Sequence, residues 1–299
     1  MPAVGKGSTQ NRLMLQDRRI FGQCYTLRRG PNMNCLKVQR EDSTLILTLN
    51  RPDARNALSP QLMVELDAAL EDARMDTGIR AVIIAASGNK VFCAGGDLKL
   101  TIPLITGART PSDTYDEKLL EMTRANNRPL PLKGDVGKPV IAAVEGAAMG
   151  GGLELVLSCD MIVSGNRASF AAPEVVAGAY PARLTFLLPQ RLPYSAAAKM
   201  LMAGTSISAE EADRLGMLTT LTEAGGALDT AKRLASRICD NAPISVRETR
   251  NTLREIVGQN RDANEKLDRR AAKIVYATRD AREGPRAFAE KRRPVFTGE

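Results

Sequence analysis

The 299-residue sequence contains no histidine. This absence excludes Ser-His-Asp and Cys-His catalysis, histidine metal sites and histidine proton shuttles before any motif is considered. General acid and base catalysis must therefore fall to glutamate, aspartate, lysine, tyrosine or cysteine.

Cysteine is scarce, and its pattern does not suggest cross-linking. The sequence has five cysteines, which are Cys24, Cys35, Cys93, Cys159 and Cys239. Their number is odd, their spacing is wide and no CxxC pair occurs, which argues against a disulfide framework and against a zinc site. We therefore expect a cytoplasmic protein with no bound metal.

Long uninterrupted apolar runs are also missing. The longest apolar tract, from Val140 to Val163, is interrupted by Glu145, Glu154 and Asp160. A bilayer-spanning helix needs about 20 residues with few or no charges, so we expect no membrane segment. The composition as a whole, 43% hydrophobic and 25% charged, is typical of a folded protein and excludes disorder of the whole chain.

The net charge of +8 is concentrated at the N-terminus, where residues 1–40 hold eight lysines and arginines and one acid. The rest of the chain is nearly neutral. Nucleic-acid-binding domains usually concentrate basic residues on a folded surface, so we do not expect a nucleic-acid partner. We expect the basic segment, residues 1–35, to be a disordered extension, or the product of an upstream start with Met33 as the natural first residue. An ordered arm and a targeting segment are the alternatives.

Apolar periodicity predicts the main elements. Alternating leucines in Thr44–Leu49 predict a half-buried strand, which Pro52 ends because proline cannot continue a hydrogen-bonded ladder. Ser59 as N-cap and Pro60 as first helical residue predict a helix start. Further strands are predicted at 81–86, 140–144 and 161–164, and helices at 194–202, 208–215, 227–239, 244–257 and 263–277. The pattern indicates an α/β body followed by a helical C-terminal part.

Two buried strands lead into glycine turns, Ala94-Gly-Gly-Asp97 and Gly150-Gly-Gly-Leu-Glu154. Helical sequence follows each turn, so unpaired backbone N–H groups at a helix start would face a ligand. One donor from each turn would form an oxyanion hole for a carbonyl that gains negative charge. The alternative is that the glycines only permit tight packing. Neither turn fits GxGxxG or GxxxxGK, so neither a dinucleotide site nor a P-loop is supported.

Two glutamates lie in apolar surroundings near these turns. Glu154 lies within Gly-Leu-Glu-Leu-Val-Leu, where burial should raise its pKa. Glu174 follows Pro173 twenty residues later and is again flanked by apolar residues. Each glutamate alone could be a solvated or capping side chain. Together, beside a predicted oxyanion hole, they form a candidate acid and base pair.

These motifs resemble the enoyl-CoA hydratase/isomerase (crotonase) family. The resemblance rests on Asn50-Arg-Pro, Asn56-Ala-Leu58, Phe92-Cys-Ala-Gly-Gly-Asp-Leu98, Lys138-Pro-Val-Ile-Ala-Ala-Val144-Glu-Gly146, Gly150-Gly-Gly-Leu-Glu154 and Pro173-Glu174. Residues 280–292 also resemble the C-terminal signature of the family. The resemblance extends from about residue 36 to the end and leaves only the basic segment outside.

The resemblance implies a crotonase-like spiral of ββα turns with a helical C-terminal region. It implies a core with the acyl-CoA site over residues 36–225 and a helical trimerisation region over 226–299. It further implies homotrimers or dimers of trimers, and an acyl-CoA thioester as substrate with no separate cofactor.

The resemblance also assigns site residues. The backbone N–H groups of Gly96 and Gly151 would hold the thioester oxygen, and Glu154 and Glu174 would be catalytic. The residues that match positions along the CoA path are Arg55, Ala94, Asp97, Leu98 and Lys99. Arg55 and Lys99 could meet CoA phosphates or be merely solvated.

Both glutamates are present at the hydratase positions, which implies reversible syn addition of water to a trans-2-enoyl-CoA. The alternatives are another crotonase reaction, namely Δ3,Δ2-enoyl-CoA isomerisation or dehydration of a carnitinyl-type 3-hydroxyacyl-CoA. A non-catalytic RNA-binding homologue is a further alternative from a different class.

The sequence departs from the hydratase pattern after Glu174, where residues 178–186 replace a glycine-rich run with bulkier residues. This stretch is expected near the acyl pocket, so Tyr180 or Arg183 could shorten the pocket or meet a polar acyl group. We nevertheless expect Arg183 to be a surface arginine. Glu145 stands where many relatives have asparagine, and we expect its role to be structural.

Overall fold

The computed structural model of the protein describes residues 35–126, 136–258 and 261–298. The predicted basic extension lies outside this range, except for Cys35. The boundary between residues 225 and 226 stays a prediction. No helix among the described residues is long and apolar enough to span a membrane.

A six-stranded sheet forms the centre of the fold. Its strands are β1 (Leu36–Glu41), β2 (Thr44–Leu49), β3 (Ala81–Ala86), β5 (Val140–Val144), β7 (Met161–Gly165) and β10 (Thr220–Thr222), in the order β1-β2-β3-β5-β7-β10. Only β1 and β2 pair antiparallel. β10, an edge strand of three residues, was not predicted from the sequence.

A smaller sheet of four strands lies beside the first. Its strands are β4 (Val91–Cys93), β6 (Ala147–Met149), β8 (Ser169–Ala171) and β9 (Ser206–Ser208), in the order β4-β6-β8-β9. The successive pairs β3 and β4, β5 and β6, and β7 and β8 each contribute one strand to the larger sheet and the next to the smaller. This repetition is the predicted spiral of ββα turns, and the α/β fold class is confirmed.

Eleven α-helices occur among the described residues. They are α1 (Pro60–Met75), α2 (Thr101–Ile105), α3 (Thr114–Asn126), α4 (Gly151–Leu157), α5 (Leu184–Leu187), α6 (Tyr194–Ala203), α7 (Ala209–Arg214), α8 (Ala227–Cys239), α9 (Pro243–Val257), α10 (Arg261–Tyr276) and α11 (Asp280–Ala289). The predicted N-cap of α1 is confirmed, because the Ser59 hydroxyl accepts a hydrogen bond from the Leu62 amide at 3.2 Å. The Ser208 hydroxyl caps α7 in the same way.

Strand β2 is buried on both faces, although its alternation predicted one buried face. Helix α1 packs on one side of the sheet and α8 on the other, so both sets of side chains leave water. Helix α8 faces the sheet with alanines, Ala227, Ala231 and Ala235, which allow close approach. Parallel sheets covered by helices on both faces are generally buried in this way.

The start of α8 is held by Glu145, which follows β5. Its carboxylate oxygens accept hydrogen bonds from the amides of Gly225 at 2.8 Å and Ala227 at 2.7 Å. Amides at a helix start otherwise lack partners, and a carboxylate there also interacts favourably with the helix dipole. The expected structural role of Glu145 is confirmed.

The three glycines that begin α4 have different reasons to be glycine. Gly150 has a φ of +54°, which other residues rarely adopt. A Cβ on Gly152 would overlap the carbonyl group of Cys93, so this position needs glycine for packing. A Cβ on Gly151 would only touch Leu58 at 3.4 Å. Backbone geometry therefore accounts for two members of the triplet and leaves Gly151 without a packing requirement.

This difference predicts unequal effects of alanine at two adjacent positions. We expect Gly152→Ala to lower the free energy of unfolding by about 1–3 kcal/mol, because the added methyl group forces the backbone of β4 away from α4. We expect Gly151→Ala to change it by less than about 1 kcal/mol. Urea unfolding followed by circular dichroism measures both values, and equal losses would contradict the packing assignment.

Candidate active site

The two glycine turns predicted from the sequence meet in the structure. They follow β4 and β6, which are parallel neighbours, so both turns emerge at the same edge of the smaller sheet. A Cβ on Gly95 would lie 2.9 Å from the Met149 carbonyl oxygen and 3.2 Å from the Gly151 amide nitrogen. A Cβ on Gly151 would in turn lie 3.6 Å from the Gly96 amide nitrogen. The amides of Gly96 and Gly151 therefore lie next to each other.

Both amides are available as donors. Around Gly96, the Leu58 amide donates to the Gly95 carbonyl at 2.8 Å and the Asp97 amide donates to the Leu58 carbonyl at 3.2 Å, which passes over the Gly96 N–H. Gly151 is the first residue of α4, where an amide has no intrahelical acceptor. Among the described residues, neither amide donates to another group.

One detail of the sequence expectation is wrong. We expected both amides at helix starts, but α2 begins only at Thr101, five residues after Gly96. The Gly96 amide is exposed by the shape of a turn. The Asp97 carboxylate supports this turn by accepting from the amides of Lys99 at 3.0 Å and Leu100 at 3.1 Å.

The predicted CoA-path residues cluster around this first turn. The Ala94 amide donates to the Arg55 carbonyl at 3.1 Å, which joins the two segments. The Asp97 side chain is buried and forms an ion pair with Arg51 at 2.9 Å, so its carboxylate is used within the protein. Leu98, Lys99 and Arg55 are exposed, which places two cations at the surface beside the turn.

The two predicted glutamates converge on the second turn. Glu154 lies in the first turn of α4 and is 3% exposed. Glu174 begins a 3-10 turn, Glu174–Ala177, after β8. Because the Gly150 amide donates to the Ala171 carbonyl at 3.0 Å, β8 delivers Glu174 beside the glycine triplet. Its Oε1 lies 3.0 Å from the position of a Cβ on Gly150.

The surroundings of Glu174 favour its protonated form. Burial raises the pKa of Glu174 to about 7, and the negative charge of Glu154 contributes in the same direction. Its Oε2 is buried and has no hydrogen-bond partner among the described residues. A carboxyl group with a pKa near neutrality can both donate and accept a proton under ordinary conditions.

Arg183 corrects the sequence expectation of a surface arginine. It is 5% exposed, and its Nη1 lies 3.2 Å from Glu154 Oε1. Its guanidinium carbon is 5.9 Å from the centre of the Phe186 ring. The backbone explains the placement, because Ala182 has a φ of +30° and turns the chain inward, where α5 packs against α4. The only signal in the sequence was the departure from the hydratase pattern at this stretch.

The position of Glu174 is also supported from the C-terminal side. Helix α11 packs on the 3-10 turn so closely that a Cβ on Gly284 would overlap the carbonyl of Ala177. Gly178, with a φ of +66°, ends the turn beneath Asp280. The segment around the second glutamate is thus held between β8 and α11. Sequence analysis did not predict this contact.

The pKa of Glu174 has a consequence for stability. The folded protein binds a proton that the unfolded chain, with its ordinary pKa of 4.5, has already released between pH 4.5 and 7. Stability contributed by this carboxyl is therefore present at low pH and is lost as the pH rises through this window, by up to about 3 kcal/mol.

Glu174→Gln has no titrating group at this position, so we expect its stability relative to the parent protein to rise by that amount from about pH 4 to about pH 8. Urea unfolding of both proteins across this range is the measurement. A difference that does not change with pH would show that the pKa of Glu174 is not raised.

Known proteins share these features. Residues 39–299 match the family model described as enoyl-CoA hydratase/isomerase. Enoyl-CoA hydratase EchA19 of Mycobacterium tuberculosis is 36% identical over 91% of this chain and 98% of its own length. A carnitinyl-CoA dehydratase of Proteus mirabilis is 35% identical over 88% of this chain and 98% of its own length.

Solved structures agree with the sequence comparisons. A structure of EchA1_1 from Mycobacterium paratuberculosis has a TM-score of 0.79 and 33% identity, and the match covers 90% of this chain and 100% of that chain. Both the glycine turns and the glutamates lie within the matched residues. The chain therefore belongs to the enoyl-CoA hydratase/isomerase family, the crotonase family of enzymes that act on CoA thioesters.

Proposed function

We propose that this protein is an enoyl-CoA hydratase that adds water reversibly, with syn geometry, to a trans-2-enoyl-CoA. The observation that carries the proposal is the convergence of two buried carboxyl groups, Glu154 and Glu174, on a turn with two free amide donors. A single-acid reaction would not need the second buried carboxyl group, whose burial is costly.

The thioester carbonyl oxygen accepts hydrogen bonds from the amides of Gly96 and Gly151. This oxygen gains negative charge when water attacks C3 and an enolate forms. Donors that are already in place stabilise that charge without reorganisation, and each contributes on the order of 3 kcal/mol. Because both donors are backbone groups between packed turns, their direction is fixed before the substrate binds.

The two carboxyl groups move the protons of the water molecule. One is ionised and accepts a proton while the water oxygen bonds to C3. The other is protonated and delivers its proton to C2, so the C2=C3 double bond becomes single and the enolate becomes a thioester again. The two groups titrate as a coupled pair that shares one proton.

The substrate class and assembly follow from the family resemblance. The CoA thioester is the substrate, and no separate cofactor is needed for proton transfer. Its path lies along Arg55, Ala94, Asp97, Leu98 and Lys99, with the two exposed cations near the CoA phosphates. We propose homotrimers or dimers of trimers, a cytoplasmic location and no nucleic-acid partner.

A second candidate is dehydration of a carnitinyl-type 3-hydroxyacyl-CoA, the same chemistry in reverse. The observation that favours it is Arg183, a cation beside the reacting groups that a plain enoyl chain would not require. Isomerisation of a 3-enoyl-CoA needs only one proton shuttle, and a non-catalytic RNA-binding homologue needs neither acid. Loss of the enoyl-thioester absorbance across a panel of enoyl-CoAs, including crotonobetainyl-CoA, distinguishes these reactions.

The paired-acid mechanism predicts non-additive losses. We expect Glu154→Gln and Glu174→Gln each to lower the hydration rate by about 10³-fold or more, because each leaves the water without one proton partner. The double variant should be far less than multiplicatively worse, because the two groups act as a unit. Steady-state kcat on a crotonyl-type substrate measures this, and parental activity in Glu154→Gln would reassign the chain to a single-glutamate reaction.

The oxyanion assignment can be tested with two substitutions at Gly151. Gly151→Pro removes the amide hydrogen, and proline is tolerated at the first position of a helix, so the fold should persist while kcat falls by about 10²-fold or more. Gly151→Ala retains the amide and is the matched control. Circular dichroism must show both variants folded. Equal activity in a folded proline variant would refute the assignment.

A further inference from the structure

The strongest feature that the proposed reaction does not use is the buried pair of Arg183 and Glu154. Both side chains are almost fully buried, and the Nη1 to Oε1 distance is 3.2 Å. Charges that leave water in this way are usually paired, because an isolated buried charge is very costly. The pairing therefore couples a cation directly to one of the two acids.

The cation acts on one acid and not on the other. Among the described residues, Arg183 forms an ion pair only with Glu154, and its Nε donates no hydrogen bond. Glu174 forms no ion pair in the described part of the chain, and burial is the largest influence on it. Two carboxyl groups that look equivalent in the sequence thus have different electrostatic surroundings.

We propose that Arg183 is a positioning residue that decides where the shared proton sits, by holding Glu154 as the carboxylate and leaving the proton on Glu174. The proposal rests on the proposed function and deepens it, because it distinguishes two roles that the reaction itself leaves open. Arg183 acts through Glu154, and no contact with the reacting atoms is required of it.

The assignment gives a balanced reaction. Glu154 takes a proton from water as the O–H bond breaks and the oxygen bonds to C3, and the electron pair of the double bond moves toward the thioester oxygen. The proton of Glu174 then bonds to C2. After product release, Glu154 gives up a proton and Glu174 regains one, which restores the starting state without any oxidant or reductant.

The surrounding charges agree with this arrangement. Glu154 on α4 is faced by Arg183 at the start of α5 and by Glu174 from the 3-10 turn. Glu174 is faced by the charge of Glu154. A pKa of about 7 for Glu174, raised by burial and by the negative charge of Glu154, is what a proton-carrying partner of an ionised Glu154 would have.

The first test is the pH profile of kcat/KM for hydration. An opposite charge close to a carboxyl group favours its ionised form by about 1–3 pH units. We expect Arg183→Met and Arg183→Gln to shift the acid limb upward by that amount, so that kcat/KM near pH 6 falls about tenfold or more. Arg183→Lys keeps the charge and should shift the limb by less than half as much.

Arg191→Met is the matched control for loss of a buried guanidinium. The guanidinium of Arg191 donates to the carbonyls of Cys159 and Asp160 and is in contact with neither catalytic acid. We expect this variant to keep both limbs of the profile, even if its stability falls. An acid limb that stays in place in both neutral Arg183 variants, or moves equally in Arg191→Met, would overturn the proposal.

The second test locates the proton without relying on turnover. Infrared difference spectra near pH 6 report loss of the protonated carboxyl band when each glutamate is replaced by glutamine. We expect the band to be lost in Glu174→Gln and not in Glu154→Gln, and the preference to weaken in the Arg183→Met background. The opposite preference, or one that is independent of Arg183, would refute the proposal. If no enoyl-CoA is hydrated while the spectra behave as expected, the proposed function fails and the assignment of the proton stands.

Discussion

The site depends on the close backbone contact between the turns after β4 and β6. Gly95 lies against the Met149 carbonyl and Gly152 against Cys93, at separations that leave no room for a side chain. This contact brings the amides of Gly96 and Gly151 together. Because the donors belong to packed backbone, they cost no side-chain entropy and keep their direction. The chemistry of the site therefore starts from the ability of glycine to let two segments approach.

The spiral repeat then supplies the acids in order. Each ββα turn adds one strand to the smaller sheet, and the segment that follows the strand reaches the same edge. The turn after β6 begins α4 and carries Glu154, and the segment after β8 carries Glu174. Neighbouring strands thus place residues that are twenty positions apart beside one another. Buried acids are tolerated there because one has a cationic partner and the other has a raised pKa.

Much of the fold could be predicted from local pattern. Alternating leucines, buried apolar runs and the Ser59 cap depend on neighbours in sequence, and the structure reproduces them within a few residues. Strand β10 was missed because three half-buried residues, Thr220–Thr222, carry no periodic signal. Arg183 was misplaced because arginine is rarely buried without a partner, and its partner lies 29 positions earlier in the chain.

The sequence by itself determined which chemistry is possible. Without histidine, two glutamates in apolar segments and two glycine turns left little other than carboxyl acid-base catalysis with backbone donors, and the motifs indicated the family. Tertiary structure decided how these parts are used. Only the packed chain shows that Gly150 and Gly152 are structural while Gly151 is not, and that Arg183 neutralises one glutamate of the pair. The reason is physical: composition and periodicity report local preference, whereas burial and charge pairing depend on segments that meet only after folding.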